Sequence, residues 1–362
     1  MPPMRAARLA SALACLLAAG SLAAGCGGGS GSDSSTATSA ESSQGRPAPP
    51  KSEFPSAEGK TLRQVINSAS GPSELVVSPA AVAFYKGQNR YPFGVFERDR
   101  TQVSDAEVAL YFAKVPTPSP GEKSRSGGKG QAAKAEAQAL DEPAVGPFPA
   151  AIESLATKPA FRAKTTVDDP DAASVVYSTQ INLPSEGEWR IAAVIKEGDE
   201  LKGTLLPSAV VGEFMRIPRP GEKAPRIHTP TPADVGGDLS KITTRIPPDT
   251  QNKVDYAEAL GKEPIVLLFA TPQFCQSRVC GPVVDVAEQA KREYGDKAAF
   301  IHMEIYNDND PEKGVRAKVR AFHLPSEPWL FAIDRQGDIS AVIEGAFGLE
   351  LLDEAVNKAV AE

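Results

Sequence analysis

Cysteine is scarce in this chain, with four residues among 362. Cys15 and Cys26 fall in the first 26 positions, so a folded region can hold at most one disulfide, between Cys275 and Cys280. Histidine is scarcer still, and none of the three precedes His228. The first half therefore lacks the side chain that acid–base sites use most often. After residue 25 no apolar run is long enough to span a bilayer. Basic clusters are missing too. Lys and Arg number 39 against 46 Asp and Glu, a formal charge of −7, which argues against nucleic acid as a partner. The imbalance is local: residues 251–362 hold 12 Lys/Arg and 19 Asp/Glu and so carry the whole −7. Hydrophobic residues at 41% and charged residues at 23% suit a globular protein, and the length allows two domains plus linkers.

What is present begins at the N-terminus. Residues 1–25 place Arg5 and Arg8 before an Ala- and Leu-rich run, the layout of a secretory signal peptide. The run ends in Leu22-Ala23-Ala24-Gly25-Cys26. Small residues before a cysteine resemble the lipobox of bacterial lipoproteins, with leucine four residues ahead of Cys26 where three is commoner. The resemblance implies acylation of Cys26, palmitate included, and a mature N-terminus there. Gly, Ser and Thr dominate 27–44, so 26–72 reads as a flexible tether that lifts the folded part off a surface. The expected location is the extracytoplasmic face of the cell membrane, held by the lipid on Cys26, where a disulfide persists.

Residues 73–217 hold short β-branched and aromatic runs at 74–77, 81–85, 91–97, 107–114, 174–182, 188–196 and 213–217. Turn residues such as Gly87-Gln88-Asn89 and Pro184-Ser185-Glu186-Gly187 separate them. Many short strands without a long amphipathic helix predict an all-β sandwich. The turn into Trp189 resembles immunoglobulin-like domains of bacterial envelope proteins, a likeness of pattern alone. The segment 117–147 is rich in Pro, Gly, Ser, Lys and Ala without a hydrophobic period, and reads as a disordered insertion. Scattered carboxylates give this region no catalytic constellation. Prolines crowd 218–249, which reads as an extended interdomain linker.

Residues 250–362 alternate α and β. Six apolar residues at 265–270 predict a strand buried on both faces. A turn with Cys275 and Cys280 follows, then helices expected at 283–294 and 312–322 and strands at 298–306, 329–334 and 339–344. A final amphipathic helix spans 349–360. A buried strand therefore delivers two cysteines to a helix start, where aligned N–H groups favour a thiolate.

These features resemble a thioredoxin-fold domain. Phe274 stands before the first cysteine, Tyr294-Gly295 closes the first long helix, Pro328-Trp329-Leu330-Phe331 matches the cis-proline and its strand, and Glu344-Gly345-Ala346-Phe347-Gly348 matches the turn before the last helix. The family's Cys-x-x-Cys is here Cys-x-x-x-x-Cys. Side chains five apart in a helix point about 140° from each other, so Cys275 must lie in the loop and Cys280 near the first helical turn. A second register places Cys280-Gly281-Pro282-Val283 on the motif. Leu268 stands where many thioredoxins carry a buried aspartate.

The resemblance implies a multidomain chain, an immunoglobulin-like sandwich followed by a thioredoxin-like α/β domain with a mixed sheet. The implied activity is thiol–disulfide exchange on cysteine-containing envelope proteins without a cofactor or metal. Cys275 would attack, more exposed at the loop end, and Cys280 would resolve the mixed disulfide. Pro328, if cis, would present the backbone of Glu327 to substrate, beside Phe274. Arg278 either favours a thiolate or is a solvated loop residue. Two rivals stand beside this: a redox-inert binding scaffold with a structural disulfide, and a copper-handling protein drawing on His302 or His323.

Overall fold

The computed structural model describes residues 44–117, 128–212 and 217–361. The signal peptide, Cys26, the start of the tether and part of the 117–147 insertion lie outside the described residues. So do four of the five residues expected to form a strand at 213–217.

Nine strands build the first region. They are β1 (Gly71–Pro72), β2 (Val76–Pro79), β3 (Gly87–Phe96), β4 (Glu107–Lys114), β5 (Ala144–Pro149), β6 (Ala151–Ser154), β7 (Val175–Leu183), β8 (Gly187–Glu197) and β9 (Glu200–Val211). Their orders are β1-β9-β8-β4-β5 and β2-β3-β7-β6. Phe93, Tyr177 and Ile181 of one sheet share a core with Leu110, Phe112 and Ile191 of the other, so the two pack face to face as a sandwich.

Strand β4 explains why residues 44–72 are not all tether. Its six central residues are buried on both faces, so the outer face needs a second cover. Phe54, Leu62 and Val65 supply it, packing on Ala109, Tyr111 and Ala113, while the Tyr111 hydroxyl donates to the Pro55 carbonyl at 2.7 Å. Leu62 and Val65 belong to a short helix, α1 (Leu62–Ile66), opened by a Thr61–Gln64 capping box.

The insertion read as disordered is also ordered in part, over α2 (Gly128–Ala139). Ala is the strongest helix former, and among its described side chains this run buries Ala135 and Ala139 against Val115. Small alanine side chains leave no visible hydrophobic period. Glu136 pairs with Arg190 of β8 at 3.3 Å. A further one-turn helix, α3 (Lys164–Val167), precedes β7.

The C-terminal sheet has β10 (Ile265–Phe269), β11 (Ala299–Met303), β12 (Trp329–Ile333) and β13 (Ile339–Glu344) in the order β11-β10-β12-β13. Strands β10 and β11 are parallel and the other pairs antiparallel. The unbroken apolar run of β10 now has its reason. Val266 and Leu268 face α5 (Cys280–Tyr294) and α7 (Leu349–Ala361), whereas Ile265, Leu267 and Phe269 face α4 (Tyr256–Ala259) and α6 (Ala317–Arg320). A mixed sheet with helices on both faces is the arrangement expected for 250–362. The helix expected at 312–322 is cut to a 3₁₀ turn at Pro311–Lys313 and the single turn α6, because Gly314 adopts φ 71° between them.

The Pro-rich stretch 218–249 is not the extended free linker expected: it carries 3₁₀ turns at Pro232–Val235 and Leu239–Lys241 and packs on the C-terminal region. Ile217, Ala224 and Ile227 join the core under the C-terminal sheet, and Arg245 is buried in an ion pair with Asp285 at 2.9 Å. The two regions also meet directly. Leu155, Ala173 and Val176 of the sandwich lie in the same core cluster as Cys275, Val279 and Cys280. Glu344 of β13 accepts the N–H groups of Val82 and Ala83 at 2.9 and 3.1 Å, and Arg90 of β3 donates to the Ala346 carbonyl at 2.7 Å.

Candidate active site between the two regions

Strand β10 ends at Phe269, the chain turns through Thr271-Pro272-Gln273-Phe274, and Cys275 arrives opposite the start of α5. Cys275 and Cys280 are disulfide-bonded with Cα atoms 5.8 Å apart, inside the range a disulfide requires. Cys275 lies in the loop and Cys280 is the first residue of the helix. The Cys280 N–H points at Cys275 Sγ at 3.3 Å, and the Ser277 hydroxyl is also 3.3 Å from that sulfur. In the alternative register Val283 would take the second cysteine's place; it is a fully buried core residue.

The sulfurs are far less accessible than the loop position of Cys275 suggests. Cys275 is 7% exposed and Cys280 0%. Cys275 is the more exposed of the two, as its loop position implies, but only slightly, and Leu155, Ala173 and Val176 of the sandwich belong to the same buried cluster. Arg278 is an exposed loop residue, but its guanidinium is ion-paired rather than directed at the sulfur. Its guanidinium binds both carboxylate oxygens of Asp169 at 2.9 Å and reaches Asp171 at 3.6 Å. Its carbonyl accepts the Ala173 N–H at 3.1 Å. These three partners come from the segment between α3 and β7.

Two cavities flank the loop. One, of about 410 Å³, is lined by Thr165, Thr166 and Asp169 from the sandwich and by Gln273, Cys275 and Gly281. The other, of about 350 Å³, lies between Phe93, Phe96 and Val176 on one side and Gln276 to Val279 on the other. Cys275 lines only the first.

Of the remaining sequence candidates, Phe274 lines the first cavity with Cys275, and Glu327 and Pro328 line neither. The Glu327–Pro328 peptide is cis, and Pro328 leads into β12, where Trp329 pairs with Phe269 at the end of β10. Trp329 is a buried core residue whose ring N–H donates to Ser326. Desolvation raises the Glu327 carboxyl above its ordinary range. The Phe274 ring stands edge-on to Tyr306 at 6.4 Å, and the Tyr306 hydroxyl is raised first by desolvation and then by Glu327.

Leu268 is buried beside the cysteines, so β10 offers no carboxylate. Buried charge is found behind the loop instead. His302 of β11 is fully enclosed, with Nδ1 2.9 Å from Asp249 and Nε2 3.1 Å from the Ala270 carbonyl. Burial alone would lower the imidazole, but the Asp249 carboxylate outweighs it and lifts His302 to about 9. For Asp249, burial is likewise the largest single influence and acts upward; His302, Thr243 and the Gln251 N–H together hold it well below the usual carboxylate range. An imidazolium donating from both nitrogens fits this geometry, and neither nitrogen is left for a metal. Among the described residues no group of three His, Cys, Asp or Glu side chains could hold an ion. Thr244 straps the loop by accepting both the Gln273 N–H and its side-chain amide, at 3.2 and 2.8 Å. Asp285, five residues into α5 after Cys280, is raised by burial despite its contacts with Ala163 and Arg245.

Sequence reasoning missed Asp169, Asp171, Arg245, Asp249 and Asp285. The sandwich aspartates are more than 100 positions from the cysteines, and no motif ties them to that loop.

No family model matches the chain, and no curated protein matches it. A crystal structure of a candidate thiol:disulfide interchange protein DsbE from Chlorobium tepidum is similar over 40% of this chain and 99% of its own. Its sequence identity is 18% and its TM-score 0.27.

Proposed function

We propose that the chain is a thiol–disulfide oxidoreductase acting on cysteine-containing proteins outside the cytoplasm. The observation that carries this reading is the Cys275–Cys280 bond at the junction of a buried strand and a helix start, with Cys275 lining a cavity. A substrate thiolate attacks Cys275 Sγ, the Cys275–Cys280 bond breaks, and Cys280 leaves as a thiolate that takes up a proton. A second substrate thiolate then attacks the mixed disulfide and releases Cys275. Two electrons pass from a substrate dithiol to the protein; run backwards, the same steps reduce a substrate disulfide. Glu327, Pro328 and Phe274 are proposed to border the bound substrate. The membrane association, through acylated Cys26, rests on the small residues before that cysteine.

The burial of both sulfurs supports a second reading, a binding scaffold whose disulfide is structural. Equilibration with graded thiol buffers separates the two. A reduction potential above about −300 mV fits a working couple, and one well below it marks a structural bond.

A further inference from the structure

The cysteine loop is not a free edge of the C-terminal region. Of the four residues between the sulfurs, Arg278 alone is tied to the sandwich through both its backbone and its side chain. It adopts φ 60°, a left-handed conformation uncommon for arginine, and so turns its carbonyl toward the Ala173 N–H. Its guanidinium is committed to Asp169 and Asp171. The tied segment also walls the Cys275 cavity through Thr165, Thr166 and Asp169. Asp169 and Arg278 both line that cavity, so their ion pair stands beside the approach to Cys275.

We propose that Asp169 and Asp171 are positioning residues for disulfide exchange: through Arg278 they hold the Cys275–Cys280 loop closed against the sandwich, and their release admits a thiol to Cys275. The inference rests on the exchange reading for its purpose, but the clamp itself is testable without it.

The clamp suits a reversible closure. The side chains of Arg278, Asp169 and Asp171 are 49%, 24% and 51% exposed, so each pair is weak and screened by salt. The apolar contacts of Ala173 and Val176 are buried and dock the seam without setting its charge dependence. Reduction breaks one S–S bond and needs two electrons and two protons from the attacking dithiol, here dithiothreitol, which cyclises to its own disulfide. Removing the carboxylates loosens the loop, and it also frees the guanidinium to approach a Cys275 thiolate. Both effects favour the reduced form.

The test uses the full chain with Cys15→Ser and Cys26→Ser, so that only the pair can react. Reduction by dithiothreitol is followed by maleimide labelling and mass shift, for this parent, for D169N/D171N and for R278Q. Both variants change exposed or half-buried side chains, and unchanged circular dichroism confirms that they fold. The expected result is reduction about fivefold to tenfold faster in both. Added salt should accelerate the parent alone. The equilibrium with dithiothreitol should also shift toward the reduced form, about 30 mV per tenfold. Equal rates and equal salt dependence in all three proteins would overturn the clamp. A parent with a structural potential whose variants still react faster would keep the clamp and remove the exchange reading.

Discussion

Arg245 is the residue whose loss should be felt furthest. Its guanidinium is 6% exposed and binds Asp285, itself 2% exposed, at 2.9 Å. It also donates to the carbonyls of Pro247 at 2.8 Å and Phe161 at 2.6 Å, while Asp285 accepts the Ala163 N–H at 3.0 Å. Arg245→Ala would leave a buried carboxylate without its counterion and the Pro247 and Phe161 carbonyls without this donor. Breaking a buried pair from one side costs about 3–5 kcal/mol. Asp285 can escape part of that cost by protonation, since burial already raises it. A folded-state pKa above the unfolded value means that the penalty is absent below the unfolded value near 3.8 and grows as pH rises through the folded one. The loss in R245A should therefore be smaller at pH 4 than at pH 8, which a simple packing defect would not show. Denaturant unfolding reads this well, because the two tryptophans report separately: Trp189 sits in β8 of the sandwich and Trp329 in β12. Parent transitions should coincide; in R245A the Trp329 transition should move to lower denaturant and part from that of Trp189. Asp285→Asn, which keeps an acceptor for Ala163, should cost less, about 1–2 kcal/mol. A loss below about 1 kcal/mol in R245A at pH 8 would refute the reasoning.

Three further outcomes are expected. His302 rises to about 9 when folded, so its contribution is complete below pH 6.5 and lost as pH climbs through 9. The span is worth about 3 kcal/mol at most, shared with Asp249 rather than added to it. Thermal unfolding from pH 6 to 10 should show the decline, and His302→Gln should flatten it. Gly345 has φ 79°, and a Cβ there would lie 2.4 Å from the Ala80 carbonyl across the junction; G345A should destabilise the protein by about 2 kcal/mol or more, seen as a lower Tm and faster proteolysis. Thr61→Ala removes the α1 cap and should cost about 1 kcal/mol, with an unchanged midpoint as the contrary result.

The C-terminal α/β part was legible because its signals are local. The apolar run of β10, the Gly337 turn between β12 and β13, and the apolar face of α7 each lie within a dozen residues. The cysteine pairing was legible because two positions allowed one bond. What escaped was set by long-range packing. The 54–66 segment looks like tether until β4 is seen to need a cover on its outer face. Helix α2 hides behind alanine, which is helical without being visibly amphipathic. Prolines at 218–249 predict extension, but say nothing of Arg245 reaching Asp285. Loop position made Cys275 the more exposed sulfur, but how little of it is exposed depends on packing that no local signal shows.

The shared cluster of Leu155, Ala173, Val176 and the cysteine loop has a practical corollary for anyone dividing this chain. A fragment starting near residue 250 would lose the sandwich wall over its sulfurs together with the arginine that neutralises Asp285. Such a piece would present bare apolar surface and a buried acid without its counterion, and chemistry measured on it would describe the wound rather than the intact molecule.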